Sequence, residues 1–103
     1  MKDEMNDEGE AVEIPIDGVL DLHTFRPAEA RDLIVHYLEA CRERGILLVR
    51  IIHGKGTGQM RRTVHTLLGS LPGVRSFRLA EPDAGGFGAT VAELWPEGRD
   101  EGD

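Results

Sequence analysis

Apolar residues fall along this chain in two alternating rhythms. In "GVLDLH", residues 18–23, Leu20 and Leu22 share one face of an extended segment, and Val19, Asp21 and His23 share the other. The period then lengthens. Ala30, Leu33, Ile34, Tyr37, Leu38 and Cys41 recur at i, i+3, i+4, i+7, i+8 and i+11, a single stripe along a helix. Pro27 suits the first turn of that helix, Glu29 suits its positive end, and Gly45 suits a left-handed stop. "ILLVRII", residues 46–52, is short, β-branched and nearly continuous, as expected of an inner strand. Met60, Val64, Leu67, Leu68 and Leu71 repeat the helical stripe until Pro72 and Gly73 break it. "VRSFRLA" (residues 74–80) and "ATVAELW" (residues 89–95) read as two further strands. The segment between them is too short for a helical crossover, so they are expected to run antiparallel. The order is β-α-β-α-β-β, an α/β domain.

The first crossover has a chemical consequence. A helix between strands one and two makes them parallel, so their C-terminal ends emerge at one sheet edge. His23 closes the first and His53 the second. If the strands are neighbours, about 4.8 Å apart, both imidazoles can face one crevice. Asp21 lies on the same strand face as His23. Either histidine alone is explained by a turn hydrogen bond; their joint placement points to function.

After His53 comes "HGKGTGQ". Gly54, Gly56 and Gly58 permit tight turns and expose backbone N–H groups where a helix begins, a ready site for an anion. Thr57 lies within the loop, Lys55 adds a mobile positive charge, and Arg61 and Arg62 add more on the next turn. The loop is neither a Walker A motif, since Lys55 is followed by Gly56, nor a GxGxxG dinucleotide fingerprint. His36 and His65 sit beside the helical stripes and are assigned to solvated surface, with His65 able to extend the basic face. Cys41 and Met60 fall on the stripes and are assigned to the core.

Composition changes this picture in one respect. The formal charge of −7 argues against an anionic partner until it is divided by region. Residues 1–13 set Lys2 against six carboxylates, residues 97–103 set Arg99 against four, and residues 14–96 are left at +1. Both ends lack large apolar groups and are expected to be acidic, disordered tails flanking one domain over 14–96. The single cysteine rules out an internal disulfide. No apolar run approaches about 18 residues, so no membrane span is expected. The acidic start is unlike a secretory signal, which makes a cytoplasmic location the default.

Three segments together resemble the Smr (small MutS-related) domain family: "LDLHTF" (residues 20–25), "VRIIHGKGTGQMRR" (residues 49–62) and "GGFGATVAEL" (residues 85–94). The resemblance covers about residues 14–95 in matching order and spacing. It implies a two-layer sandwich with a four-stranded mixed sheet, like the C-terminal domain of a bacterial translation initiation factor. It also implies an endonuclease that nicks DNA or cleaves RNA, including messenger RNA on stalled ribosomes. Asp21 and His23 match the family's DxH, and His53, Gly54 and Gly56 its HGxG. Thr24 stands where the family often has glycine, adding a side chain beside His23.

Cleavage of a phosphodiester needs a base, an acid and charge stabilisation. On this reading Asp21, His23 and His53 form the catalytic group, with His53 as base or acid and His23 as its partner, oriented by Asp21. Gly54, Lys55, Gly56, Thr57, Gly58, Arg61 and Arg62 hold the phosphate. A metal-assisted variant would place Asp21, with His23, on Mg²⁺ or Mn²⁺, although one carboxylate and one imidazole assign no metal ligand set. The alternative is a non-catalytic module that docks on nucleic acid or a ribosome through the same basic loop.

Overall fold

The computed structural model describes residues 14–81 and 88–98. The acidic ends lie outside them, except that Glu97 and Gly98 form a turn. The elements are β1 (Val19–Asp21), α1 (Pro27–Glu43), β2 (Leu48–Ile52), α2 (Gln59–Ser70), β3 (Val74–Leu79) and β4 (Ala89–Leu94). They build a mixed four-stranded sheet in the order β1-β2-β4-β3. β1 runs parallel to β2, and β4 runs antiparallel to both β2 and β3.

Both helices cover one face of this sheet. Leu20, Leu22, Val49, Ile51, Ala92 and Leu94 point into a core completed by Ala30, Ile34, Leu38 and Cys41 of α1 and Val64 and Leu68 of α2. β2 is an inner strand, as expected, with β1 on one side and β4 on the other. Leu48 is nevertheless 58% exposed, because among the described residues no second helical layer covers the opposite face. The sandwich has two layers.

Local chemistry sets where the elements stop. Gly45 (φ 75°) ends α1, and its N–H donates to the Arg42 carbonyl while that of Ile46 donates to Cys41 at 2.8 Å, a Schellman cap. This use of the Ile46 amide delays the start of β2 to Leu48. β1 is also shorter than its alternation suggests. The Asp21 carboxylate accepts the His23 N–H at 3.0 Å, an Asx turn that withdraws His23 from the strand ladder. Leu71 ends α2 in an extended conformation, as expected before Pro72. At the other end of β1, the Tyr37 hydroxyl accepts the Gly18 N–H at 3.1 Å and lies 3.0 Å from the Val19 carbonyl, tying the strand to α1.

A candidate phosphate cleft with two histidine walls

At the C-terminal edge of β1 and β2 lies a cleft of about 220 Å³. His23, Phe25 and Pro27 of the segment after β1 line it, together with His53 and Gly54 after β2 and Gly56 to Arg61 of the loop and the start of α2. The parallel pairing places it there: Asp21 pairs with Ile52, so the residues that follow each strand emerge together. His23 and His53 therefore share one crevice, as expected.

Their environments differ. The Asp21 Oδ1 atom accepts two hydrogen bonds from one residue, from the His23 amide at 3.0 Å and from its Nδ1–H at 2.7 Å. These bonds, the amide first and the imidazole second, hold the Asp21 carboxyl below its ordinary range. The His23 side chain is 66% exposed. Among the described residues, none occupies its Nε2.

His53 is 6% exposed, and both its ring nitrogens are engaged. Nδ1 lies 3.0 Å from the Gly54 carbonyl and Nε2 lies 2.8 Å from the Thr90 hydroxyl. A second imidazole reaches the same hydroxyl: His65 Nε2 lies 2.7 Å from Thr90 Oγ1. The two rings meet edge-on at 6.0 Å, and His65 also lies against Phe77 at 5.1 Å. Burial pushes the pKa of His53 down, opposed by its bond to Gly54 and reinforced by the charge of Arg61. Burial likewise lowers His65, aided by His53 and Arg61. Strand parity explains the meeting. Thr90 pairs with Ile51, and Ile51 and His53, two residues apart, face the same helical layer.

The loop above His53 has a left-handed residue at each end, Gly54 (φ 83°) and Gly58 (φ 86°). Gly56 has no such φ, and a Cβ built there would meet nothing within 4 Å. The glycine requirement is therefore conformational at 54 and 58, whereas at 56 it concerns only what approaches from outside. The amides of His53 and Gly54 both donate to the Gly88 carbonyl at 2.9 Å, anchoring the loop base to the strand beyond. Thr57 Oγ1 accepts the Gln59 amide at 3.3 Å, and no acidic residue stands in the first turn of α2. The positive end of the helix dipole thus opens into the cleft with no neutralising carboxylate in its own first turn. Arg61 reaches back over Gly58, its guanidinium 3.3 Å from where a Cβ would be.

Of the residues expected at the site, His23, His53, Gly54, Gly56, Thr57, Gly58 and Arg61 line the cleft. Asp21 stands behind His23. Lys55 and Arg62 are exposed but do not line the cleft, and the Lys55 stem lies beside Gly88. His65 corrects the surface assignment: it is half-buried at the back of His53. Met60 lines the cleft as well as packing on the core. Thr90 was missed altogether. As a β-branched residue in a strand it carries no sequence signal beyond packing.

Among the described residues no three His, Cys, Asp or Glu side chains gather as metal ligands, and none of the cleft's lining residues is acidic. Among the described residues the donor set does not fit a resident metal. Nor is any described helix long and apolar enough to cross a membrane.

Comparison with known proteins follows the same residues. A family model described as the Smr domain matches residues 20–95. Among curated relatives, a protein named endonuclease MutS2 from Halothermothrix orenii is 43% identical over 75 residues, or 73% of this chain and 10% of that protein. A MutS2 endonuclease from Thermomicrobium roseum is 40% identical over the same length. The chain thus spans about a tenth of the length of the curated relatives it matches. The crystal structure of the Smr domain of Thermus thermophilus MutS2 superposes with a TM-score of 0.75 at 38% identity, covering 78% of this chain and all of that one. YdaL, a stand-alone small MutS-related protein from Escherichia coli, gives 0.69 at 28% identity, covering 75% of this chain and 63% of that one.

Proposed function

This chain belongs to the Smr domain family, and from that premise we propose that it is a nucleic-acid endonuclease that cleaves RNA by acid–base chemistry. The observation that carries the reading is the Asp21–His23 pair at the lip of the cleft. Asp21 accepts the Nδ1 proton, which fixes the tautomer and leaves the exposed Nε2 lone pair for a substrate proton. Next to it, the first-turn amides of α2 and the Arg61 guanidinium offer a cradle for one phosphate.

In the proposed reaction His23 Nε2 takes the proton of a ribose 2′-hydroxyl. The 2′ oxygen attacks the adjacent phosphorus, the bond to the 5′ oxygen breaks, and that oxygen takes a proton from solvent at the open mouth of the cleft. The products are a 2′,3′-cyclic phosphate and a 5′-hydroxyl. An internal nucleophile suits a cleft with no carboxylate among its described lining residues to position an attacking water. Asp21 orients His23, and Arg61 with the loop amides stabilises charge on the phosphoryl oxygens. Lys55 and Arg62, exposed on the flanks, contact neighbouring phosphates. His53 keeps its place in the site by holding the loop, since both its nitrogens are occupied.

That occupancy also favours a second reading. One available imidazole is sparse equipment for catalysis, and a module that only binds RNA, free or on a ribosome, needs the same cradle. Incubating the purified chain with labelled single-stranded RNA and DNA, with and without EDTA, separates the two. The enzyme reading expects RNA cleavage in both buffers and intact DNA. Binding without cleavage of any substrate sinks it in favour of the module.

A further inference from the structure

Thr90 is fully buried, with 0% of its surface exposed, and its one hydroxyl meets two imidazoles. The direction of each bond follows from counting protons. The Gly54 carbonyl only accepts, so the proton facing it belongs to His53 Nδ1. In the neutral ring Nε2 is then an acceptor, and Thr90 must donate its single proton there. His65 is left to donate its Nε2–H to the Thr90 oxygen. The chain runs in one direction, from His65 through Thr90 and His53 to the Gly54 carbonyl. Three elements, α2, β4 and the end of β2, are thereby joined to the first residue of the loop.

We propose that Thr90 and His65 are positioning residues that set the tautomer of His53 and, through its Nδ1–H, hold the glycine loop in its phosphate-receiving conformation. This rests on the loop being the phosphate site. The bland account, that Thr90 is an ordinary β-branched strand residue, does not explain the polar arrangement. Valine would fill the same space in β4 and would be expected if packing were the requirement. A buried hydroxyl with one proton can satisfy two imidazoles only when one donates and the other accepts. Combined with the acceptor-only Gly54 carbonyl, that condition fixes the direction of the relay and the Nδ1–H form of His53. The Gly88 carbonyl secures the His53 and Gly54 amides at the same place, and the relay adds a hold on the Gly54 carbonyl, which those bonds do not engage.

The test uses ¹⁵N-labelled protein at pH 7.5, comparing the parent with Thr90→Ser and Thr90→Val. Long-range proton–nitrogen correlations should find His53 protonated at Nδ1 and His65 at Nε2 in the parent and in Thr90→Ser. In Thr90→Val, His53 should become a mixture of tautomers and the amide signals of Gly54, Lys55 and Gly56 should move. Affinity for an oligodeoxynucleotide, which the proposed chemistry cannot cleave, should fall roughly five- to tenfold in Thr90→Val and stay within about twofold in Thr90→Ser. A parent His53 protonated at Nε2 overturns the proposal, as do unmoved loop amides in a folded Thr90→Val protein. Should Thr90→Val not fold, the tautomers of the parent and Thr90→Ser decide. If the parent binds no nucleic acid, the phosphate reading fails, while tautomers and loop amides still decide whether the relay holds the loop.

Discussion

The two walls of the cleft hold the same side chain in opposite environments. On the β1 side, His23 has one nitrogen held by Asp21 and the other open to solvent. On the β2 side, His53 has both nitrogens held and is buried under the loop. An imidazole transfers protons when a lone pair is within reach of a substrate, and it organises structure when both nitrogens are fixed. Sequence motifs present the two as equals. Their hydrogen bonds separate them.

Stability should expose the difference most strongly. Replacing His53 with Ala removes bonds to Gly54 and Thr90 and leaves buried polar groups unsatisfied, which costs about 1–3 kcal/mol. The same change at the exposed His23 should stay within about 0.5 kcal/mol. Urea unfolding of both proteins checks this, and equal midpoints would erase the distinction between the walls. Binding should fall along with cleavage in His53→Ala, because the loop itself is loosened.

The loop offers a second contrast. Gly54→Ala forces a side chain into a left-handed conformation and should cost about 1–2 kcal/mol, although no atom lies in the way. Gly56→Ala has neither strain nor contact, so its stability should be that of the parent. If a phosphate rests on the backbone there, affinity falls in this variant without any loss of stability. A folded Gly56→Ala protein that binds as the parent does would move the phosphate elsewhere.

Acid should loosen the buried wall. His53 and His65 have pKa values below the ordinary value of about 6.5. Between the folded and unfolded values the unfolded chain binds more protons, so stability is full above pH 6.5 and is lost as pH falls toward the folded values. Unfolding midpoints across pH 7.5 to 5 should decline, and less steeply in His53→Ala. An unchanged slope in that variant would remove His53 as a cause. The smallest effect belongs to the acidic ends. Removing residues 1–13 and 97–103, with a net charge of −8, should raise nucleic-acid affinity about two- to threefold at low salt and not at all at high salt. Equal affinities at every salt concentration would show that the ends do not compete for the basic loop.

Local patterns made most of the fold legible. The α1 stripe, the Gly45 stop, the Pro72 break and the parallel β1–β2 pair were all expected from neighbouring residues or from the helical crossover. The insertion of β4 between β2 and β3 was not expected, because strand order depends on contacts between distant segments. The same insertion concealed half of the site. Thr90 reaches His53 only because β4 lies beside β2, and His65 reaches Thr90 only because α2 packs across that pair. His65 flanks the buried Val64 and Leu68, a position the helical period marks as a boundary and no more. Charged residues around the loop were legible as a group, yet which of them enter the cleft was settled by geometry: Arg61 does, and Lys55 and Arg62 do not.

The central claim is that His23 is the working imidazole and His53 the structural one. Single-turnover cleavage of a labelled RNA, measured in EDTA beside the dissociation constant for the same strand, tests it directly in parent, His23→Ala and His53→Ala proteins. The account predicts that His23→Ala cleaves about 10²–10⁴-fold more slowly with affinity within about threefold of the parent, and that His53→Ala loses affinity and rate together. Full-speed cleavage by His23→Ala, or a His53→Ala protein that binds normally but cannot cut, would contradict it.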